Sequence, residues 1–269
     1  MTRLISLLIV CLLCASAVYT QQSQTPDSIS DNSFLIEEAY NQAPGVVQHI
    51  NTFTRSRGGD WLYTFTQEWP VGSMKHQLSY TIAALSLSHA DGLGDFAINY
   101  RYQLVNGEKV SVAPRISVLF PTGDWRRGLG AGGVGVQTNL PVSVILSDKF
   151  VTHWNAGATL VPRSRDALDE KAFTKGVNLG QSTIWLARPR FNVMMETAWN
   201  RIETVIGRGR LVTGYTLFLN PGVRWSYNFK SGLQIVPGVS FPIGAGPSSG
   251  QRSALFYLSF EHPFKKIQK

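Results

Sequence analysis

Apolar and polar residues alternate with a period of two along most of this chain of 269 residues. In the stretch 134–144, valine and leucine take most of the even positions, while Gln137, Asn139 and Ser143 take odd ones. The stretch 96–104 shows the same alternation with aromatic residues. A period of two is the pattern of a β-strand whose two faces meet different surroundings. The sequence therefore predicts an all-β fold, which is either a soluble sandwich or a membrane barrel.

The beginning of the chain has the pattern of a secretory signal peptide. Arg3 supplies the positive charge, residues 4–13 form a short apolar core, and Ala-Ser-Ala at 15–17 is a small-x-small cleavage site. The core is shorter than the about 20 residues that a membrane-spanning helix needs. Since Cys11 and Cys14 lie before the cleavage site, the mature chain is predicted to lack disulfides, thiolate nucleophiles and cysteine metal sites.

The sequence predicts one large domain with short flanking segments. We assign residues 1–17 to the signal peptide, 18–45 to a periplasmic N-terminal segment, 46–264 to an outer-membrane β-barrel and 265–269 to a C-terminal tail. Within the N-terminal segment, residues 34–40 have a composition that allows two helical turns, which Pro44-Gly45 would end. The segment is either a periplasmic plug or a tail, and the sequence leaves both open.

Twelve strands are predicted, and short connections alternate with longer ones. The strands are 46–54, 61–70, 73–86, 93–105, 109–120, 132–146, 149–161, 176–188, 190–200, 214–229, 232–242 and 252–264. Such alternation is typical of outer-membrane barrels, whereas the crossovers of a sandwich are irregular. The alternation keeps its phase through Asn220-Pro221-Gly222, which predicts a bulged but continuous strand. We predict a closed, antiparallel, up-and-down transmembrane β-barrel of about 12 strands with both ends in the periplasm.

The two predicted faces differ in composition. The outer face carries aromatic residues near the strand ends, namely Trp61, Tyr63, Trp69, Phe120, Trp154, Trp185, Trp199, Trp225 and Phe229. Trp and Tyr suit the headgroup layers on both sides of a membrane. In a sandwich, the same rings would instead belong to the core.

The predicted inner face carries polar side chains and charges of both signs. Our candidates for lining the lumen are Glu68, Lys75, Arg101, Arg115, Gln137, Asn139, His153, Asn192, Glu196 and Arg224. They could pair into a network that makes the barrel rigid, or they could line a path or a binding site for a solute. A barrel of twelve strands lies between those of about 8 strands, which side chains fill, and those of about 16–18, which hold a channel. The sequence does not determine whether the lumen is open or filled.

Motifs for other chemistry are weak. The glycine-rich run 128–133 lacks the Lys-Ser/Thr and the following helix of a phosphate loop. We therefore predict that it forms a flexible loop. The five histidines lack metal-ligand spacing, and His153, the one suitably placed base, has no activated serine near it in sequence. The surplus of Lys and Arg (25) over Asp and Glu (17) is scattered rather than clustered, which argues against nucleic acid as a partner. We predict no enzyme activity, no metal and no cofactor.

The last predicted strand carries apolar residues at most even positions from Ala254 to Phe264. This segment resembles the C-terminal targeting strand of bacterial outer-membrane proteins, although five residues follow Phe264. The resemblance implies the barrel assembly machinery and outer-membrane lipid as partners.

Several short motifs resemble the outer-membrane family labelled MetA-pathway of phenol degradation. They are Gly92-Leu93-Gly94-Asp95, Tyr100-Arg101-Tyr102, LFPTGD at 119–124, GLG at 128–130, LNPGV at 219–223 and FEH at 260–262. The resemblance implies a barrel for uptake of hydrophobic or aromatic compounds, and it identifies no binding residues. We predict a channel or transporter in the bacterial outer membrane for passive uptake of a small-molecule solute. The alternative is a structural or adhesive barrel with a closed lumen and no transport.

Overall fold

Twelve antiparallel strands follow one another around a single closed sheet. The computed structural model describes residue 29 and residues 32–207 and 209–264, and the strand count refers to these. The strands are β1 (Val46–Ser56), β2 (Trp61–Val71), β3 (Ser73–Leu87), β4 (Ala90–Leu93, Phe96–Tyr102 and Val105–Asn106), β5 (Val110–Val112 and Arg115–Phe120), β6 (Gly135–Ser147), β7 (Phe150–Arg165), β8 (Lys171–Arg188), β9 (Phe191–Val205), β10 (Leu211–Trp225 and Tyr227–Asn228), β11 (Gln234–Ser240 and Ile243–Gly244) and β12 (Ser253–Pro263).

The sheet closes between its first and last strands. β12 pairs with β1 along their whole length, from Val46 opposite Pro263 to Ser56 opposite Ser253. Closure gives the backbone groups of both terminal strands hydrogen-bond partners, as a sheet in an apolar medium requires. The prediction of a closed twelve-stranded antiparallel barrel is confirmed. No helix in the described part of the chain is long and apolar enough to span a membrane.

Two of the predicted long connections consist largely of strand. β7 and β8 pair as far as Arg165 and Lys171, across a register shift between Val161 and Ser164. The connection predicted at 162–175 is therefore a short turn, and the one predicted at 201–213 shortens in the same way. Cross-strand pairing outweighs the polar composition of these stretches, which had suggested loops.

The prediction of a bulge at Asn220-Pro221-Gly222 is wrong, although the strand is continuous there. β10 pairs with β9 from Leu211 to Trp225 without a register shift. The carbonyl of Pro221 accepts a hydrogen bond from the Phe241 N–H. Because the backbone nitrogen and carbonyl of a strand residue point to the same neighbouring strand, the Pro221 nitrogen, which carries no hydrogen, also faces β11. It is β11 that is interrupted, between Ser240 and Ile243.

The barrel is polar inside and apolar outside. Among the described residues, buried polar and charged side chains outnumber buried apolar ones. Large apolar side chains are instead exposed on the outer wall, among them Trp154 at 53% and Phe256 at 53%. A sandwich in water would show the reverse distribution. The outer face therefore suits an apolar medium.

The connection between β5 and β6 is held in place rather than flexible. The Asp95 carboxylate accepts hydrogen bonds from the Gly123 N–H (3.0 Å) and the Ala131 N–H (2.8 Å). The Thr122 hydroxyl donates to the Gly94 carbonyl and accepts from the Phe96 N–H. The prediction of a flexible loop at 128–133 missed these contacts, because Asp95 is distant in sequence. This fold brings the GLGD and LFPTGD motifs into direct contact.

We expect Gly130→Ala to destabilise this loop. A methyl group on Gly130 would overlap with the Asp95 carboxylate. Such overpacking lowers the free energy of unfolding by about 1–3 kcal/mol. The control is Gly214→Ala, since a methyl group there has only the Ile202 carbonyl oxygen nearby, at 3.9 Å. The measurement is the rate of proteolysis within 121–134, together with the midpoint of heat-induced loss of the folded gel band. Equal values for the two variants would contradict the role of the Asp95 contacts.

Candidate functional site

Residues 32–42, here called the luminal segment, lie inside the barrel. The two helical turns predicted for 34–40 are absent, and the backbone there is extended with bends. Instead of an internal helical ladder, backbone N–H groups of the segment donate to side chains of the wall. The Leu35 N–H donates to Glu196, and the Ala39 N–H donates to Ser143. Tertiary hydrogen bonds thus replace the local ones that the composition of this stretch had suggested.

Side-chain amides of the wall take the place of a neighbouring strand. Gln103 accepts from the Asn41 N–H (2.9 Å) and donates to the Ala39 carbonyl (2.7 Å). Asn155 accepts from the Glu37 N–H (2.8 Å) and donates to the Glu37 carbonyl (2.8 Å). A side-chain amide carries the same donor and acceptor as a peptide group. The wall can therefore bind a backbone through side chains alone.

The segment runs past most of the barrel's strands in turn. Ser33 bonds to Ser182 of β8, and Leu35 bonds to Glu196 of β9. The following residues contact β7, β6 and β4, and the Gln42 N–H then donates to Gln77 of β3 at 2.7 Å. The segment is therefore bound to much of the inner circumference.

An apolar cluster on one side of the lumen holds the ring of Phe34. Methyl groups on Gly222 or Gly238 would collide with this ring, so the two glycines form its slot. Tyr257 contacts the ring edge-on, with 5.6 Å between centroids. The buried cluster around them comprises Ile29, Ile50, Ile184, Met194, Val236 and Leu255. This slot has the size and the lining of a site for one aromatic ring.

A groove on the outer wall lies behind the same slot. It has a volume of about 450 Å³ and is lined mainly by apolar residues, including Trp185, Met195 and Phe241. Gly222 borders both this groove and the Phe34 ring. The wall between the groove and the slot is therefore thin at this position.

The opposite side of the lumen is charged. Arg115 donates from Nε to both carboxylate oxygens of Glu37, at 3.0 Å each, and from Nη2 to Oε1 at 2.7 Å. Arg101 donates to the side chain of Asn41 and to the carbonyls of Glu38 and Tyr40. The luminal segment therefore supplies partners to both arginines.

All ten side chains predicted to line the lumen lie on the inner face. Arg101, Arg115, Glu196 and Arg224 contact the luminal segment directly. Glu68 and Gln137 form a second layer that bonds to residues holding the segment. Asn139 bonds both to Asn155 and to the Glu37 carboxylate of the segment. Asn192 lies opposite Arg224 in the β9–β10 pair, and Lys75 lies on the inner face of β3. Their role in solute passage stays a prediction.

His153 has a serine neighbour that the sequence did not indicate. Its Nδ1 lies 2.7 Å from the Ser143 hydroxyl. That hydroxyl is fully buried and accepts from the Ala39 N–H at 2.8 Å, so it holds the luminal segment instead of facing a substrate. In the described ranges, no group of three or more His, Cys, Asp or Glu side chains could hold a metal ion.

Sequence reasoning missed Gln103, Ser143 and Ser182 as wall contacts, and Glu37 and Asn41 within the segment. Gln103 could have been predicted from the sequence, because it continues the inner phase of Asn99 and Arg101 on β4. Ser143 shares the inner phase of Gln137 and Asn139, but the phase of a serine does not indicate which group it binds. Glu37 and Asn41 lie in a stretch without periodicity.

No protein-family model and no curated protein matches the chain. An outer membrane channel from Pseudomonas putida F1 matches with a TM-score of 0.57 and 12% identity, over 87% of this chain and 99% of that chain. The NanC porin matches with a TM-score of 0.53 and 7% identity, over 80% and 98%. The KdgM porin matches with a TM-score of 0.51 and 10% identity, over 81% and 99%.

These comparisons define the class of fold. At such low identities, the likeness extends to the architecture alone, and that architecture is the barrel of outer-membrane channels and porins. The resemblance to the phenol-degradation family rests on the short motifs and stays a proposal.

A disulfide between positions 33 and 182 tests where the luminal segment lies. The hydroxyls of Ser33 and Ser182 are 3.0 Å apart, which is close enough for Ser33→Cys with Ser182→Cys to form a bond with little movement. We expect fast oxidation and a gel shift that reducing agent reverses. Ser33→Cys with Ser79→Cys is the control, because Ser79 lies on the inner face of β3. Equal oxidation rates would mean that the segment is not fixed at β8.

Proposed function

We propose that the chain is an outer-membrane channel for passive passage of small molecules, and that the luminal segment opens and closes it. The main observation is that the segment is bound through side chains of the wall, while the twelve-stranded ladder closes without it. The segment can therefore leave while the barrel stays intact. Outer-membrane lipid and the barrel assembly machinery are the partners that this proposal implies.

Hydrogen bonds make the closed state the more stable one. Each contributes about 0.5–1.5 kcal/mol net, and those with a charged partner contribute about 1.5–3 kcal/mol. Leu35, Glu37, Ala39, Asn41 and Gln42 each donate a backbone bond to the wall. These net values already include the bonds that water makes once the segment has left, so opening is uphill yet accessible to a ligand that binds the open lumen.

The Phe34 slot supports hydrophobic or aromatic solutes. When Phe34 leaves, Gly222, Gly238 and Tyr257 border a space shaped for a planar ring. The outer groove behind Gly222 adds support for release through the wall as well as along the lumen. No energy source is required for either route.

A structural barrel without transport is the second candidate. The observation in its favour is the burial of Glu196, which accepts from the Leu35 N–H and from Asn220 and is 0% exposed. A carboxylate fixed in this way also suits a permanently filled lumen. The next experiment separates the two candidates.

Locking the segment should reduce conductance reversibly. In planar bilayers, the oxidised Ser33→Cys, Ser182→Cys variant is expected to pass less current than its reduced form, because the disulfide holds the segment in the lumen. Deletion of residues 32–42 is expected to give the largest current. Absence of current in all three forms would establish the structural barrel. Equal currents in the oxidised and reduced forms would mean that the segment does not control passage.

Removing the Phe34 ring should create a binding site for a small aromatic molecule. Phe34 is 7% exposed. Replacing a buried Phe with Ala costs about 3–5 kcal/mol of free energy, and here this loss weakens mainly the binding of the luminal segment to the wall. We expect toluene to raise the midpoint of heat-induced loss of the folded band more for Phe34→Ala than for the wild type. Leu35→Ala is the control, since Leu35 is 40% exposed. An equal shift in all three proteins would refute the slot.

A further inference from the structure

Two arginines face each other directly across one strand pair of the inner wall. Arg101 of β4 and Arg115 of β5 are register partners, and both point into the lumen. Like charges directly opposite each other destabilise a sheet. An anion in the lumen close to this pair therefore stabilises it.

The wall supplies only part of this compensation. Glu68 of β2 lies 3.6 Å from Arg101, whereas the carboxylate on Arg115 is that of Glu37, from the luminal segment. Around Arg115, the wall adds neutral acceptors, namely the side chains of Asn99, Ser117 and Gln137. These acceptors orient the guanidinium without neutralising it. The wall therefore presents a charged, pre-oriented fork that matches a carboxylate.

The Arg115–Glu37 pair is also the accessible one. The Arg115 side chain is 14% exposed and that of Glu37 is 29% exposed, against 4% and 9% for Arg101 and Glu68. Arg115 is therefore the less buried of the two arginines while the luminal segment is in place. Arg101 becomes reachable only when the carbonyls of Glu38 and Tyr40 have left it.

We propose that Arg115, with Arg101 beside it, is a recognition site for the carboxylate of a small organic acid, and that Glu37 occupies this site as an internal substitute. A soluble carboxylate competes with Glu37 for Arg115 and so favours the state in which the luminal segment has left. This inference rests on the proposed channel function and names a class of solute for it. A ligand that binds only the open state shifts the equilibrium by a factor of one plus its concentration over its Kd, about tenfold at about ten times the Kd.

The test uses the full chain in planar bilayers, with benzoate as the probe. Benzamide serves as its uncharged counterpart, and sodium chloride at equal ionic strength serves as the screening control. We expect benzoate to raise the open probability about tenfold at about ten times its Kd, whereas benzamide and chloride leave it unchanged. Equal effects of benzoate and chloride would overturn the proposal, since screening alone would then explain the opening.

Two variants separate recognition from a merely structural ion pair. Arg115→Gln and Glu37→Gln both break the same pair, so a structural role predicts the same behaviour for both. The proposal predicts opposite responses: Arg115→Gln is insensitive to benzoate, and Glu37→Gln responds at lower benzoate concentrations than the wild type. Arg201→Gln is the control, because Arg201 pairs with Glu203 away from the luminal segment, and it should respond like the wild type. Similar benzoate responses in the two test variants would overturn the proposal.

A second readout does not depend on transport. Benzoate should slow oxidation of the Ser33→Cys, Ser182→Cys variant, because the displaced segment carries position 33 away from position 182. If benzoate slows oxidation while no form of the chain conducts, the carboxylate site stands and the channel function fails. If the chain conducts and benzoate changes neither oxidation nor current, the channel function stands and the carboxylate site fails.

Discussion

Buried polar side chains on the inner wall must find hydrogen-bond partners, and much of this structure follows from how they do so. An unpaired buried donor or acceptor costs about 1–3 kcal/mol. The backbone of the barrel is satisfied by its own ladder, so the inner amides, serines and carboxylates need other partners. The luminal segment supplies them, because an extended peptide without strand neighbours has free N–H and carbonyl groups. The wall and the segment each have polar groups that lack partners when alone, and many of these groups bond to one another.

The barrel could be predicted from the sequence because its signals are local. Alternation along each strand gives the two faces, and the turns between strands give the count and the direction. Glu68 and Arg224 could be placed on the inner face from phase alone, although they are far apart in sequence. Pro221 shows the limit of local reasoning, because a turn-like triplet remains in a regular strand when the irregularity falls on its neighbour, β11.

A plug was one of the two alternatives that the sequence left open for the N-terminal segment. The contacts of the luminal segment could not be predicted, because their determinants are distant in sequence. Leu35 and Glu196 are separated by 161 positions, and Glu37 and Asn155 by 118. Residues 32–42 show no period of either two or 3.6, and their composition allowed a helix. That local preference lost to tertiary bonds, as weak propensities commonly do. Contact with the wall leaves no pattern within the segment itself.

The luminal segment joins β1 through residues 43–45, and this short connection determines how it competes. Gln42 is bound to Gln77, and the Val46 N–H already bonds back to Ala43 where β1 begins. A group tethered so closely to its site has an effective concentration in the millimolar range. A solute that binds the site with the same intrinsic affinity as the tethered group must approach that concentration before it displaces the segment. Under the function proposed above, such a channel would stay shut to traces of solute, open to an abundant solute and close again as the supply falls.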